Sequence, residues 1–329
     1  MSSRDSHLPP APSLASHVSG SYVFIDYATQ GYIALVGLII LAGRGPRIPH
    51  WAWLVAIHAA GFVLLHLLIQ MQARWPANRL LDFLRSYYPI LLYAGFYSET
   101  GLLNQMLSGG YLDPHFLRLE QWLFGWQPGL DLVERFPSRW LAEILYGAYF
   151  SYYVMIGGVG LALLLRDRKQ FAHFVSVVSF VFYICYLIFI FIPVVGPRIL
   201  CPDMVRWPLP SDVVPAHPIT TPASVEASVF YQIMAWIYQR FETPGAAFPS
   251  SHVAVAWTTV YFSCLYLRPI RWIHAGLAVL LCISTVYGRY HYVVDVVAGV
   301  VAAATLVPLG NWLYFRFPKS LPLPSDGSG

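Results

Sequence analysis

The stretch AAFPSSHVAVAWTTVYFSCLYLRPIRWIHAGLAVLLCISTVYGRYHYVVDVVAG, residues 246–299, decides how this chain is read. Two apolar runs, His252–Leu267 and Trp272–Gly288, are separated only by the charged turn Arg268-Pro-Ile-Arg271. At about 1.5 Å per residue each run makes a helix roughly 22–25 Å long, so the pair folds back to its starting level. The polar residues at its two ends, His252 on one side and Arg289, His291 and Asp295 on the other, then finish at the same face. His291 and Asp295 share one helix face, because they stand at positions i and i+4.

Outward from this hairpin the chain stays apolar. Of its 329 residues 57% are hydrophobic and 11% charged, against about 25% charged in an ordinary soluble domain. Further runs near the ~20 residues that cross a bilayer fall at Tyr22–Ala42, Trp51–Met71, Leu81–Tyr97 (interrupted by Pro89), Leu141–Leu165, Phe171–Val195 and Val293–Phe315. The expectation is an all-α polytopic membrane helical bundle of about eight spans. Two stretches too short to span, around Phe116–Trp126 and Val225–Phe241, are amphipathic and suit helices lying in the interface. Residues 21–318 read as one integral membrane domain, with its catalytic core at about 140–315. The Pro/Ser-rich residues 1–20 and the Pro/Gly/Ser-rich residues 319–329 read as disordered tails. No basic segment followed by a short apolar core and an Ala-x-Ala site precedes the first run, which therefore reads as a permanent span.

A net charge of +4, scattered along the chain, gives no footprint for nucleic acid. Cys185, Cys201, Cys264 and Cys282 lack CxxC spacing, so neither a disulfide framework nor a zinc site is indicated. No metal and no cofactor is expected. Basic residues in short loops set orientation. Arg166, Arg168 and Lys169, then Arg268 and Arg271, then Arg316 and Lys319 fit a cytoplasmic face together with Arg74, Arg79 and Arg85. Both termini then lie in the cytoplasm and the histidines at the extracytoplasmic face. Arg44 and Arg47 are the exceptions, since they would face outward.

Ionisable residues at span ends mark function by default. A single imidazole on an aromatic helix is more often a packed side chain, and His58, His66 and His173 are read that way. His252 and His291 differ because each has the neighbours that chemistry requires. In Pro249-Ser250-Ser251-His252 a serine caps a helix start, where free N–H groups bind phosphate and His252 can protonate a leaving oxygen. In Arg289-Tyr-His-Tyr-Val-Val-Asp295 the carboxylate can fix the tautomer of His291, leaving its other nitrogen free to attack phosphorus. Arg289 is a candidate clamp for the non-bridging oxygens.

These residues resemble the type-2 phosphatidic acid phosphatase superfamily. Its second motif is Pro-Ser-Gly-His, and its third is Ser-Arg, five residues, His, three residues, Asp. Pro249, Ser250 and His252 match the second with Ser251 in the glycine position, and His291 and Asp295 match the third. The resemblance implies His291 as nucleophile through a phosphohistidine, Asp295 as its partner, His252 as acid to the leaving group, and a metal-independent reaction. Two departures stand out. Thr285 occupies the place of the third motif's arginine, and the first motif, Lys, six residues, Arg-Pro, is missing, because neither Lys169 nor Lys319 starts it. In its place stands Pro193-Val-Val-Gly-Pro-Arg198. That segment, with Tyr287 to Asp295 and the Trp122–Gly125 region, is similar to the inositolphosphorylceramide synthase branch, and Arg198 becomes the candidate substitute phosphate ligand. The implied partners are a lipid phosphate ester and the surrounding membrane lipids. The phosphoryl group then passes either to a lipid alcohol acceptor, in a head-group transferase, or to water, in a lipid phosphate phosphatase. The rival reading is a non-enzymatic transporter or lipid-binding scaffold that uses the same cluster for an anionic head group.

Overall fold

The computed structural model describes residues 22–48, 50–201, 204 and 219–317. The two tails expected to be disordered, Lys319 and both limits of the membrane domain lie outside these residues. Among the described residues the regular elements are all helices, joined by loops, with one isolated parallel β-bridge between Val194 and Ala246. Eight helices fall on the eight apolar runs: α1 Phe24–Ala42, α2 Trp51–Arg74, α3 Arg79–Leu103, α6 Arg139–Arg166, α7 Arg168–Phe191, α9 Ser251–Tyr266, α10 Arg271–Tyr287 and α11 Val293–Arg316. Between them lie the short helices α4 Asp113–Phe124, α5 Pro128–Arg135 and α8 Val229–Phe241. This is an integral membrane helical bundle.

Six of the eight, all but α3 and α9, are long and apolar enough to cross a membrane, α10 when counted with the turn before it from Arg268. Helix α3 has the length, at 25 residues, but carries Arg79, Asp82, Arg85 and Glu99. Helix α9 has 16 residues, about 24 Å against a hydrocarbon core of ~30 Å. It packs against α6, α7, α10 and α11, so much of its surface meets protein rather than lipid. The break expected at Pro89 does not occur, and α3 runs through it. A proline costs an intrahelical bond, which neighbouring helices in a bundle can offset.

The basic residues of the loops read as cytoplasmic gather at one end. Arg166 Nη1 donates to the Tyr266 carbonyl at 2.6 Å, tying the α6–α7 link to the α9–α10 turn. Arg168 pairs with Asp82 at 2.7 Å, bringing in the start of α3. At the start of α1, Asp26 is buried and takes both terminal nitrogens of Arg85, the Tyr88 hydroxyl at 2.7 Å and the Val23 amide at 2.8 Å. Arg47, the exception to the charge rule, donates instead to the Leu107 carbonyl, beyond the far end of α3.

Candidate active site

The opposite end is assembled from two helix starts and two loops. Ser250 sits in extended backbone ahead of α9 and its hydroxyl oxygen accepts the Val253 amide at 3.3 Å, the expected N-cap. Its own amide donates to the Asp295 carbonyl at 3.0 Å, which locks the start of α9 to the start of α11. The two helices cross at Gly299. A Cβ there would lie 2.6 Å from the Ser250 carbonyl oxygen and 2.9 Å from the Val253 Cβ. No residue larger than glycine permits that approach.

The turn out of α10 aims the second histidine. Arg289 takes a left-handed conformation (φ 64°), and the Tyr290 and His291 amides both donate to the Thr285 carbonyl at 3.0 Å. The short helices then fasten this turn. Glu120 of α4 is buried and accepts the Val293 amide at 2.6 Å, placing a carboxylate on the first turn of α11. Asp113 accepts the Val195 and Gly196 amides at 2.9 and 2.8 Å and the Tyr292 hydroxyl at 3.1 Å. Burial pushes Asp113 up to about 6 even against those three donors.

His291 is buried. Its Nε2 lies 3.1 Å from the Ser250 hydroxyl, and its Nδ1 lies 3.4 Å from Asp295 Oδ2, which also accepts the Tyr292 amide at 2.9 Å. A gap of 3.4 Å is long for a hydrogen bond, and His291 Nδ1 and Asp295 Oδ1 are both buried without a hydrogen-bond partner. Burial, reinforced by the neighbouring His252 and Arg198, holds His291 well below the usual imidazole range. Burial, with Arg198 beside it, pulls His252 down to about 3, so both imidazoles are neutral. The His252 ring lies 6.0 Å from that of His291 between centroids, packed by Tyr149 at 5.2 Å and Tyr152 at 4.7 Å. Ser251 and His252 form one end of an elongated cavity of about 620 Å³, together with Tyr238 and Glu242.

The two arginines diverge. Arg198 is buried beside the histidines: it pairs with Glu242, donates to the Tyr290 carbonyl at 3.1 Å and lies 5.3 Å over the Tyr238 ring. Burial pushes Glu242 up to about 6, opposed by this arginine. Arg289, expected as a phosphate clamp, is turned toward α5. It pairs with Glu134 at 2.8 Å and donates to the Thr220 and Leu130 carbonyls at 3.0 and 3.2 Å. Its side chain braces the turn, and the charge beside the histidines comes from Arg198.

Glu242, Asp113 and Glu120 were not singled out in the sequence. Their partners stand far away in the chain, 173 residues in the case of Glu120 and Val293. The one local signal is Asp113-Pro114 opening an amphipathic run, a helix start.

A profile of the PAP2 superfamily matches residues 114–309. The chain belongs to this superfamily. The matched segment runs from the first turn of α4 into α11 and holds His252, His291, Asp295, Arg198 and Glu242. Members of the PAP2 superfamily are phosphatases and phosphotransferases, and this membrane protein is an enzyme of that broad type. No curated protein and no solved structure matched the chain.

Proposed function

We propose that this enzyme transfers phosphorus from a lipid phosphate ester through a phosphohistidine on His291, without a metal, to a lipid alcohol acceptor. The observation that carries the reading is the division of the His291 ring: Asp295 stands on the Nδ1 side, while Nε2 faces Ser250 and the start of α9. With Nδ1 protonated toward Asp295, Nε2 keeps its lone pair for attack. The N–Hs of Ser251 and His252 in the first turn of α9, with Arg198, receive the non-bridging oxygens. The negative charge of the bound phosphate raises the proton affinity of His252, which is otherwise neutral, so that it enters the step as an imidazolium. Nε2 forms the bond to phosphorus as the ester P–O bond breaks, and His252 gives that proton to the departing oxygen. In the second half-reaction the acceptor hydroxyl returns a proton to His252 as its oxygen takes the phosphoryl group, and His291 is released.

An acceptor alcohol is favoured over water because the nucleophile is buried and the site opens into an apolar cavity. The segment ending in Arg198 supports a reading as an inositolphosphorylceramide synthase-like transferase. With the basic end in the cytoplasm, the site faces outward. The test is product analysis on purified protein with a panel of head-group-labelled phospholipids, with and without a lipid alcohol. A labelled alcohol product, with an acid-labile label on the protein that His291→Gln abolishes, is expected. Inorganic phosphate as sole product would make the enzyme a phosphatase. Binding without turnover would leave a transporter or scaffold.

A further inference from the structure

The cavity that ends at His252 is long, and its walls change character along their length. On α7 its lining runs from Phe171 to Tyr186, and on α6 from Tyr152 to Leu164, stripes of about 18–22 Å at 1.5 Å per residue. That exceeds the ~15 Å thickness of one leaflet's hydrocarbon, so the cavity passes the bilayer midplane. Apart from tyrosine hydroxyls along the walls, the polar lining groups are Ser251, His252 and Glu242, all at the site end. Further in, Tyr93 points its hydroxyl to Ser179 at 2.7 Å, leaving its ring to the cavity.

We infer that this cavity holds one hydrocarbon chain of the substrate lipid, about 14–18 carbons long, with the phosphate at its His252 end. An extended carbon chain with ~1.5 Å bonds and angles near 111° advances about 1.25 Å per carbon, which gives that number for 18–22 Å. The volume agrees. At the ~30 Å³ of a water-sized group, about 620 Å³ holds roughly twenty such groups, enough for one chain of that length. Transfer of a chain from lipid into an apolar cavity gains little, since both are equally apolar. Selection therefore comes from room, and blocking the cavity excludes long chains by contact. The inference rests on a phosphate seated between His252 and His291.

Two adjacent glycines on α6 allow the test. Gly157 lines the cavity and Gly158 does not, and a Cβ at either meets nothing within 4 Å. Gly157 lies about 7.5 Å along α6 from Tyr152, a depth of about six carbons. Binding and turnover of single-chain alkyl phosphates of about six and about sixteen carbons are measured in detergent on wild type, Gly157→Trp and Gly158→Trp. Gly157→Trp should weaken binding of the longer phosphate at least about tenfold and leave the shorter within about twofold, with Gly158→Trp like wild type. Should Gly157→Trp fail to fold, Gly157→Leu carries the same comparison. Equal binding of the long chain to both variants, or equal loss of both phosphates in Gly157→Trp, overturns the inference. The expected binding pattern without turnover would sink the catalytic reading and leave the chain site standing.

Discussion

Two buried carboxylates, Asp26 and Asp295, each stand beside a cationic or basic partner at opposite ends of the bundle, and they are treated very differently. Asp26 receives Arg85 through both terminal nitrogens, with Tyr88 and the Val23 amide completing its shell. Asp295 has the Tyr292 amide on one oxygen, an imidazole at 3.4 Å, and nothing on the other oxygen. The first arrangement is closed and can only hold helices together. The second keeps unmet bonding capacity in a buried place, which is costly unless another species completes it. Unspent capacity of this kind is what the proposed reaction requires and what a strut lacks.

The comparison is broken most sharply by one substitution at each end. His291→Ala should lower turnover by at least about 10⁴-fold while leaving the melting midpoint nearly unchanged. Asp26→Ala should do the reverse, costing about 3–5 kcal/mol because Arg85 is left buried without its counter-charge, with turnover per folded molecule preserved. Paired thermal melts and rate measurements in detergent distinguish the two, and a large stability loss in His291→Ala would erase the contrast. His252→Ala should reduce the rate by about 10²–10⁴-fold on alkyl phosphates and by much less on a p-nitrophenyl ester, whose oxygen departs without a proton. Equal losses on the two esters would remove His252 from the acid role.

Asp113 sharpens the comparison on a smaller scale. It is held up to about 6 by burial, against 3.8, so the fold binds its proton more tightly than the unfolded chain does. The resulting stability is complete below about 3.8 and lost as pH rises through about 6, a span of about 3 kcal/mol. Asp113→Asn should lack this component, so wild type should lose about 3 kcal/mol relative to the variant between pH ~4 and ~6.5. Parallel melting curves for the two proteins across that range would show that Asp113 is not buried as described.

The eight helices were legible because an apolar run of bilayer length and a charged short loop are local signals. The serine cap ahead of His252 was a local signal of the same kind. The spacing of His291 and Asp295 brought them together without the shared helix face it suggested: α11 begins at Val293, so His291 reaches Asp295 from the turn before the helix. Arg198 was visible only as a basic residue after a span, and its counter-charge Glu242 was not visible at all. The pair is made by two loops that the Val194–Ala246 bridge brings together. Arg289 shows the opposite limit. Proximity in sequence to His291 suggested a shared task, yet a left-handed backbone sends its side chain to Glu134, 155 residues away. Spacing along the chain says little about direction once the helix ends.

The absent side chain at position 299 acts as a spacer of zero thickness between α9 and α11. The separation of His291 from Ser250 and His252 is therefore gauged by backbone against backbone, below the floor of the site. Loops above can vary in length or composition without altering that gauge, whereas a single added methyl group at the crossing would wedge the two histidines apart.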